Sequence, residues 1–187
     1  MFMFDIETLG IESNSVILSM ACIYFDVNKQ QNYQELVDSA FFVKLDVNDQ
    51  RERLGRTETA STLEWWSDQS TSAKMLSFYR SSEDVPGEVA ISQLREWSKQ
   101  FPNHDKCTVW ARGNLDQMAL GSLETVCKVT PVFHFGRWRD VRTAVDLLTG
   151  STNGYAPIPN FDDKQVLKHD PRHDCAYDIM MLLYGGK

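Results

Sequence analysis

The chain is short of basic residues, with 19 Lys and Arg against 26 Asp and Glu and a formal net charge of −7. That deficit argues against a protein that grips nucleic acid through a broad basic surface. It leaves room for a cluster of acids that binds divalent cations, which would put positive charge where a phosphate must sit. Cysteine is also scarce. Cys22, Cys107, Cys127 and Cys175 are far apart and form no CxxC pair. A zinc site built from them is therefore disfavoured, and reduced thiols in a cytoplasmic protein are expected. No stretch is long and apolar enough to cross a membrane. The opening MFMFDIE lacks the basic segment of a signal peptide. A cytoplasmic location without membrane contact is expected, the host cytoplasm if the chain is phage-encoded. Repeats, low-complexity tracts and linkers are missing as well. One domain over residues 1–187 is expected, and a chain of this size buries roughly two-thirds of its unfolded surface.

The apolar patterning gives a coarse element order. Residues 1–6, 16–25 and 34–45 read as three strands joined by short connections, which suggests an antiparallel meander. Residues 46–80 read as a helical insertion with two short helices. Pro86 suits the first turn of a helix running to about Phe101. CTVWA at 107–111 reads as a strand, and 114–126 as a helix. Residues 132–138 read as the last strand. Asp140 is a plausible N-cap for a helix from Val141 to Leu148, ended by Gly150. Residues 151–172 are turn-rich, and a final helix is expected from Asp174 to Leu183. The order implies an α/β protein, a mixed sheet with helices on both faces.

Three segments carry acids that could share a site. Asp5 and Glu7 are two apart on the first strand, so both point to one side. Two adjacent carboxylates repel, and a cation removes that repulsion; oxygen ligands suit Mg²⁺ or Mn²⁺. A DxE pair alone fits a solvated strand end equally well. Asp116 falls in the first turn of a helix, where negative charge is stabilised by the helix N-terminus in many proteins. His173 and Asp178 lie near the start of the last helix. Their spacing of five puts them on different faces of an ideal helix, so they converge only if His173 belongs to the preceding loop. Pro171 makes that arrangement accessible.

Together these pieces, FDIET, an Asp after a later strand and HxxxxD on the last helix, resemble the DnaQ-like superfamily of 3′→5′ exonucleases, its DEDDh group. TLEWW at 62–66, WARGNLD at 110–116, RWRDVRT at 137–143 and HDPRHD at 169–174 resemble the phage exonuclease A (DexA) branch and the Rv2179c-like exoribonucleases. The resemblance implies a ribonuclease H-like fold with a five-stranded sheet, two divalent metal ions and release of nucleoside 5′-monophosphates. It assigns metal binding to Asp5, Glu7, Asp116 and Asp178, and the general base to His173. On this reading Asp5 bridges both ions, Glu7 and Asp178 share the ion that carries the attacking water, and Asp116 serves the other. The substrate is the 3′ end of a nucleic acid. Single-stranded DNA is favoured and RNA is the alternative, because only a 2′-hydroxyl contact separates them. A non-catalytic nucleic-acid-binding domain is the reading from another class, and retention of the whole acid set counts against it. A homodimer is compatible with all of these.

The resemblance implies substrate contacts from Ile6, inside the DxE pair, and from Thr8 and Leu9, which follow it. Trp65 and Trp66 point about 100° apart on a helix. One of them, taken as Trp66, would stack on a base, and packing of both in the core is the alternative. Arg112, Arg137, Arg139 and Arg142 are candidate phosphate contacts, with surface ion pairs as the alternative. Zinc at His169 and His173 is disfavoured by Pro171 between them and the lack of a third soft ligand.

Overall fold

The computed structural model describes residues 1–186. Five strands form one sheet: β1 (Phe2–Thr8), β2 (Ile17–Tyr24), β3 (Phe41–Lys44), β4 (Val109–Ala111) and β5 (Trp138–Asp140). The strand order is β3-β2-β1-β4-β5, with β1, β2 and β3 antiparallel and β4 and β5 parallel to β1. This is the mixed ribonuclease H-like sheet that the sequence implied.

The helices cover both faces because β1 is apolar on both. Phe2, Phe4 and Ile6 face a layer made by α5 (Gly87–Ser98) and α6 (Leu115–Val126). Met3 faces the opposite layer, where α7 (Val141–Thr149) and α8 (Pro171–Tyr184) pack with α1 (Tyr33–Asp38). Asp5 and Glu7 share the Met3 side of the strand. The ladder with β2 slips between Glu7 and Thr8. The extra residue is Leu18 on β2, so β2 bends and twists opposite the end of β1 that carries the acids.

Four expectations shift. Residues 34–38 are helical, because Asn32 and Glu35 form a reciprocal capping box that starts α1; only Phe41–Lys44 is strand. The last strand starts at Trp138, after a tight turn over Phe135–Arg137. The final helix starts at Pro171, with Asp170 as its N-cap, so His173 is a helical residue and not part of the loop. The insertion holds three helices, α2 (Val47–Glu52), α3 (Ala60–Ser67) and α4 (Thr71–Ala73), and a wide π turn over Lys74–Phe78. The helix at 141–149 is as expected, capped by Asp140 and ended by Gly150 in the left-handed region.

The insertion braces the end of β1. Trp66 is fully buried with Leu9, Val16 and Leu18, and its indole N–H donates to the Thr8 carbonyl at 2.9 Å. Trp66 is thus a core residue and has no face free for a base, contrary to the sequence expectation. Trp66→Ala is expected to lower stability by about 3–5 kcal/mol, the usual range for a buried aromatic. Urea unfolding followed by circular dichroism measures this, and a loss under about 1 kcal/mol would contradict the bracing role.

Candidate active site

The C-terminal end of β1 gathers ionisable groups from four segments. Asp5 and Glu7 come from β1, Asp116 from the first turn of α6, and Asp174 and Asp178 from α8. Asp116 is 5% exposed and accepts the Ile6 N–H at 3.3 Å, which ties α6 to the strand between the two acids. Asp5 is the hub. Burial raises its pKa well above the usual carboxylate range, and repulsion from Asp116, Asp174, Glu7 and Asp178 adds to the rise. Burial pushes Asp116 and Asp174 each up to about 8. Glu7 is raised by burial, against the opposing pull of His169.

His169 completes the cluster. Its Nδ1 lies 3.7 Å from a Glu7 carboxylate oxygen. Donor atoms of Glu7, His169 and Asp174 all lie within 4.8 Å of one another. The charge of Glu7 raises the His169 pKa. His169 has a φ of +64°, a strained conformation for a residue with a side chain. Hydrogen bonds impose it: its N–H donates to Asp174 Oδ2 at 3.0 Å, and its carbonyl accepts the Ser77 hydroxyl at 2.9 Å. Ser77 comes from the π turn of the insertion and is bonded to Ser19 on β2. On the outer side the ring meets Trp65 edge-on at 4.6 Å.

Asp5, Glu7 and Asp116 converge as the sequence suggested, but the α8 pair does not behave as expected. His173 points away from the acids, with its Nδ1 2.6 Å from the Tyr33 hydroxyl on α1, and burial lowers its pKa. Asp178 is near the cluster but already paired. The Arg112 guanidinium holds both its oxygens, with Nε at 3.0 and 3.2 Å and Nη2 at 2.5 Å. Arg112 also donates to the Gly154 carbonyl at 2.8 Å and stacks over Tyr155 at 4.2 Å. Arg112 is therefore committed to Asp178 and is not available to a phosphate. Ile6 is 7% and Leu9 3% exposed, so neither offers a side chain to a ligand. Thr8 uses its hydroxyl on the Gly10 carbonyl.

The residues that sequence reasoning missed as site residues are His169 and Asp174. The signal was present, because HxxxxD occurs twice in HDPRHDCAYD, at 169–174 and at 173–178. The two frames differ by about one helical turn, so only three-dimensional packing separates them.

The donor set fits divalent cations. Four carboxylates and an imidazole crowd a pocket whose own charge is unbalanced, apart from Asp178, and hard oxygen donors suit Mg²⁺ or Mn²⁺. A ribonuclease H-like sheet with this acid cluster at the end of its central strand defines a 3′→5′ exonuclease of the DnaQ-like class. The chain belongs to the family of 3′–5′ exoribonuclease Rv2179c-like domains, whose model matches residues 1–184. It is also similar to the exodeoxyribonuclease of Enterobacteria phage T4, at 30% identity over 205 residues, covering 98% of this chain and 88% of the phage protein.

Burial and crowding give the metal-free site a pH signature. Asp116 and Asp174 move from 3.8 when unfolded to about 8 when folded. Between those values the folded chain binds more protons than the unfolded one, so its stability is full at the acid end and falls as pH rises. The melting temperature in EDTA is expected to drop between about pH 5 and pH 8, and Asp116→Asn is expected to flatten that drop. Thermal melts across this range check it; a melting temperature that rises with pH through the window would contradict the crowding.

Proposed function

We propose that this protein removes nucleotides one at a time from the 3′ end of a nucleic acid, releasing nucleoside 5′-monophosphates, with Asp5, Glu7, Asp116 and Asp174 as the metal-binding acids and His169 as the general base. The observation that carries this reading is the convergence of four crowded acids and one imidazole at the C-terminal end of β1. The α8 pair expected from sequence, His173 and Asp178, is replaced by His169 and Asp174. His173 is turned towards Tyr33, and Asp178 is neutralised by Arg112. Two divalent ions would supply activation of water and stabilisation of the leaving oxygen.

The chain's own residues have separate tasks. Asp5, which feels all the other acids, would serve both ions. The His169 side chain is 31% exposed, so its imidazole can receive the proton of an attacking water and pass it to solvent. The left-handed backbone at His169 holds the ring in place without help from substrate. Trp65, 41% exposed and in contact with the His169 ring, offers a face to the terminal base. Arg112 partly offsets the repulsion that Asp178 adds to the cluster.

The two relatives' names differ on the sugar, exoribonuclease for the family model and exodeoxyribonuclease for the phage protein. Single-stranded DNA is the favoured substrate because the phage protein matches over nearly the full length of both chains. RNA is the second reading because of the family model.

Labelled DNA and RNA strands incubated with Mg²⁺, Mn²⁺ or EDTA test the activity. A 5′-labelled strand is expected to shorten as a ladder, a 3′ label is expected to leave as mononucleotide, and EDTA is expected to stop both. Cutting of circular single-stranded DNA would overturn the exonuclease reading. His169→Ala is expected to lower kcat by about 10²–10⁴-fold, while His173→Ala stays within about threefold of wild type. The reverse ranking would restore the His173 assignment. Asp178→Ala is expected to act first on stability, by about 3–5 kcal/mol, because it leaves the Arg112 charge buried and alone.

A further inference from the structure

The chain carries an excess of acid, yet four of the arginines that lack a carboxylate partner gather in one region; two others, Arg56 and Arg80, lie in the insertion and donate to the Ser15 carbonyl and to Asn48. Arg51, Arg53, Arg112 and Arg172 each pair with a carboxylate. Among the described residues, Arg95, Arg137, Arg139 and Arg142 have no carboxylate within ion-pair distance. Arg137 and Arg139 donate to backbone carbonyls of their own turn and of the 101–106 loop. All four lie along β5 and the surfaces beside it. β5 is an edge strand, so no further strand covers that side of the sheet.

Two clefts lie in this region. The first, ≈ 510 Å³, opens at the C-terminal ends of β4 and β5, between Asn114, Gln117, Arg139 and Arg142. Asn114 and Gln117 flank the turn of α6 that carries Asp116, and Gly113, which also lines the cleft, follows Arg112, whose guanidinium holds Asp178, so this cleft adjoins the site. The second, ≈ 480 Å³, runs round the β5 edge between α5 and α6 and is lined by Arg95, Lys99, Arg137, Phe133 and Phe135. Gln117 and Trp138 border both clefts, so the two are contiguous. Phe135 is 78% exposed, the most exposed aromatic side chain among the described residues. Its ring lies 4.4 Å from that of His134. Three acids also border the clefts: Asp140 the first, Asp105 and Glu124 the second. Asp140 accepts the Gly113 and Thr143 N–H groups, and Glu124 is 4% exposed and its Oε1 accepts the Val132 N–H at 2.6 Å.

We infer that these clefts are the track for the part of the strand upstream of the scissile bond. The inference rests on the exonuclease reading and adds where the rest of the substrate lies. Phosphates meet Arg142, Arg139, Arg137 and Arg95 in turn, and Phe135 stacks on a base without selecting its identity, because every base has a π face. The track is narrow and local, which reconciles strand binding with a net charge of −7. A short substrate fills the acid cluster alone, and a longer one gains contacts along the track.

The experiment compares a dinucleotide with a single strand of about 12 nucleotides, a length within the range that single-strand sites cover. For Arg139→Glu and for Phe135→Ala, the ratio of kcat/KM on the long substrate to that on the dinucleotide is expected to fall about tenfold. The salt dependence of long-strand binding is expected to lose about 0.7 in log–log slope for each phosphate contact removed. Binding of the same strand with a blocked 3′ end, read by fluorescence anisotropy, reports on the track without turnover. A wild-type ratio with unchanged binding in both variants would overturn the track while leaving the exonuclease in place. A wild type that binds the blocked strand through these residues, yet hydrolyses neither substrate, would overturn the activity and support the surface.

Discussion

Mutual repulsion among buried carboxylates is the constraint around which this molecule is arranged. Asp5, Glu7, Asp116 and Asp174 are held together by backbone geometry, since no side-chain attraction draws like charges into one pocket. The bulge at Leu18 on β2, the Ile6 N–H to Asp116 and the Asp170 cap of α8 each hold one of the supporting segments in place. Each device uses backbone donors or strand register. The apolar layers on both faces of β1 supply the stability against which this crowding is maintained.

The insertion between β3 and α5 is part of the same arrangement. It places Trp66 under Thr8, Ser77 against the His169 carbonyl and Trp65 against the His169 ring. The helical insertion thus carries the outer wall of the acid pocket. The π turn over Lys74–Phe78 brings Ser77 to the His169 carbonyl, and a wide turn of this kind is often found where a site needs a particular group.

The sheet and most of the site were legible in the sequence. Short apolar runs marked β1, β2 and β4, and the Asp140 and Gly150 caps bounded α7 within a residue. Asp5, Glu7 and Asp116 were legible because each stands at the end of an apolar strand or just after one. The errors have local physical causes. The capping box at Asn32 overrode the strand-like run that follows. Pro171 was taken to hold the chain outside the helix, yet proline fits the first helical turn, where its missing N–H costs nothing, and α8 begins there. That one difference moved His173 into the helix and left His169 as the loop histidine. Trp65 and Trp66 are adjacent in sequence, and only tertiary packing decides which is buried.

Asp174 and Asp178 are one turn apart on α8, so the helix presents two carboxylates in one stripe. Arg112 is what makes them different, leaving one free and the other spoken for. Position 112 therefore cannot drift alone. An exchange of Arg112 for a neutral residue adds a fifth like charge to the pocket, and an exchange of Asp178 strands a guanidinium between Gly154 and Tyr155. The two positions are bound to change as a pair or not at all, and among divergent relatives they should covary while Asp174 stays constant.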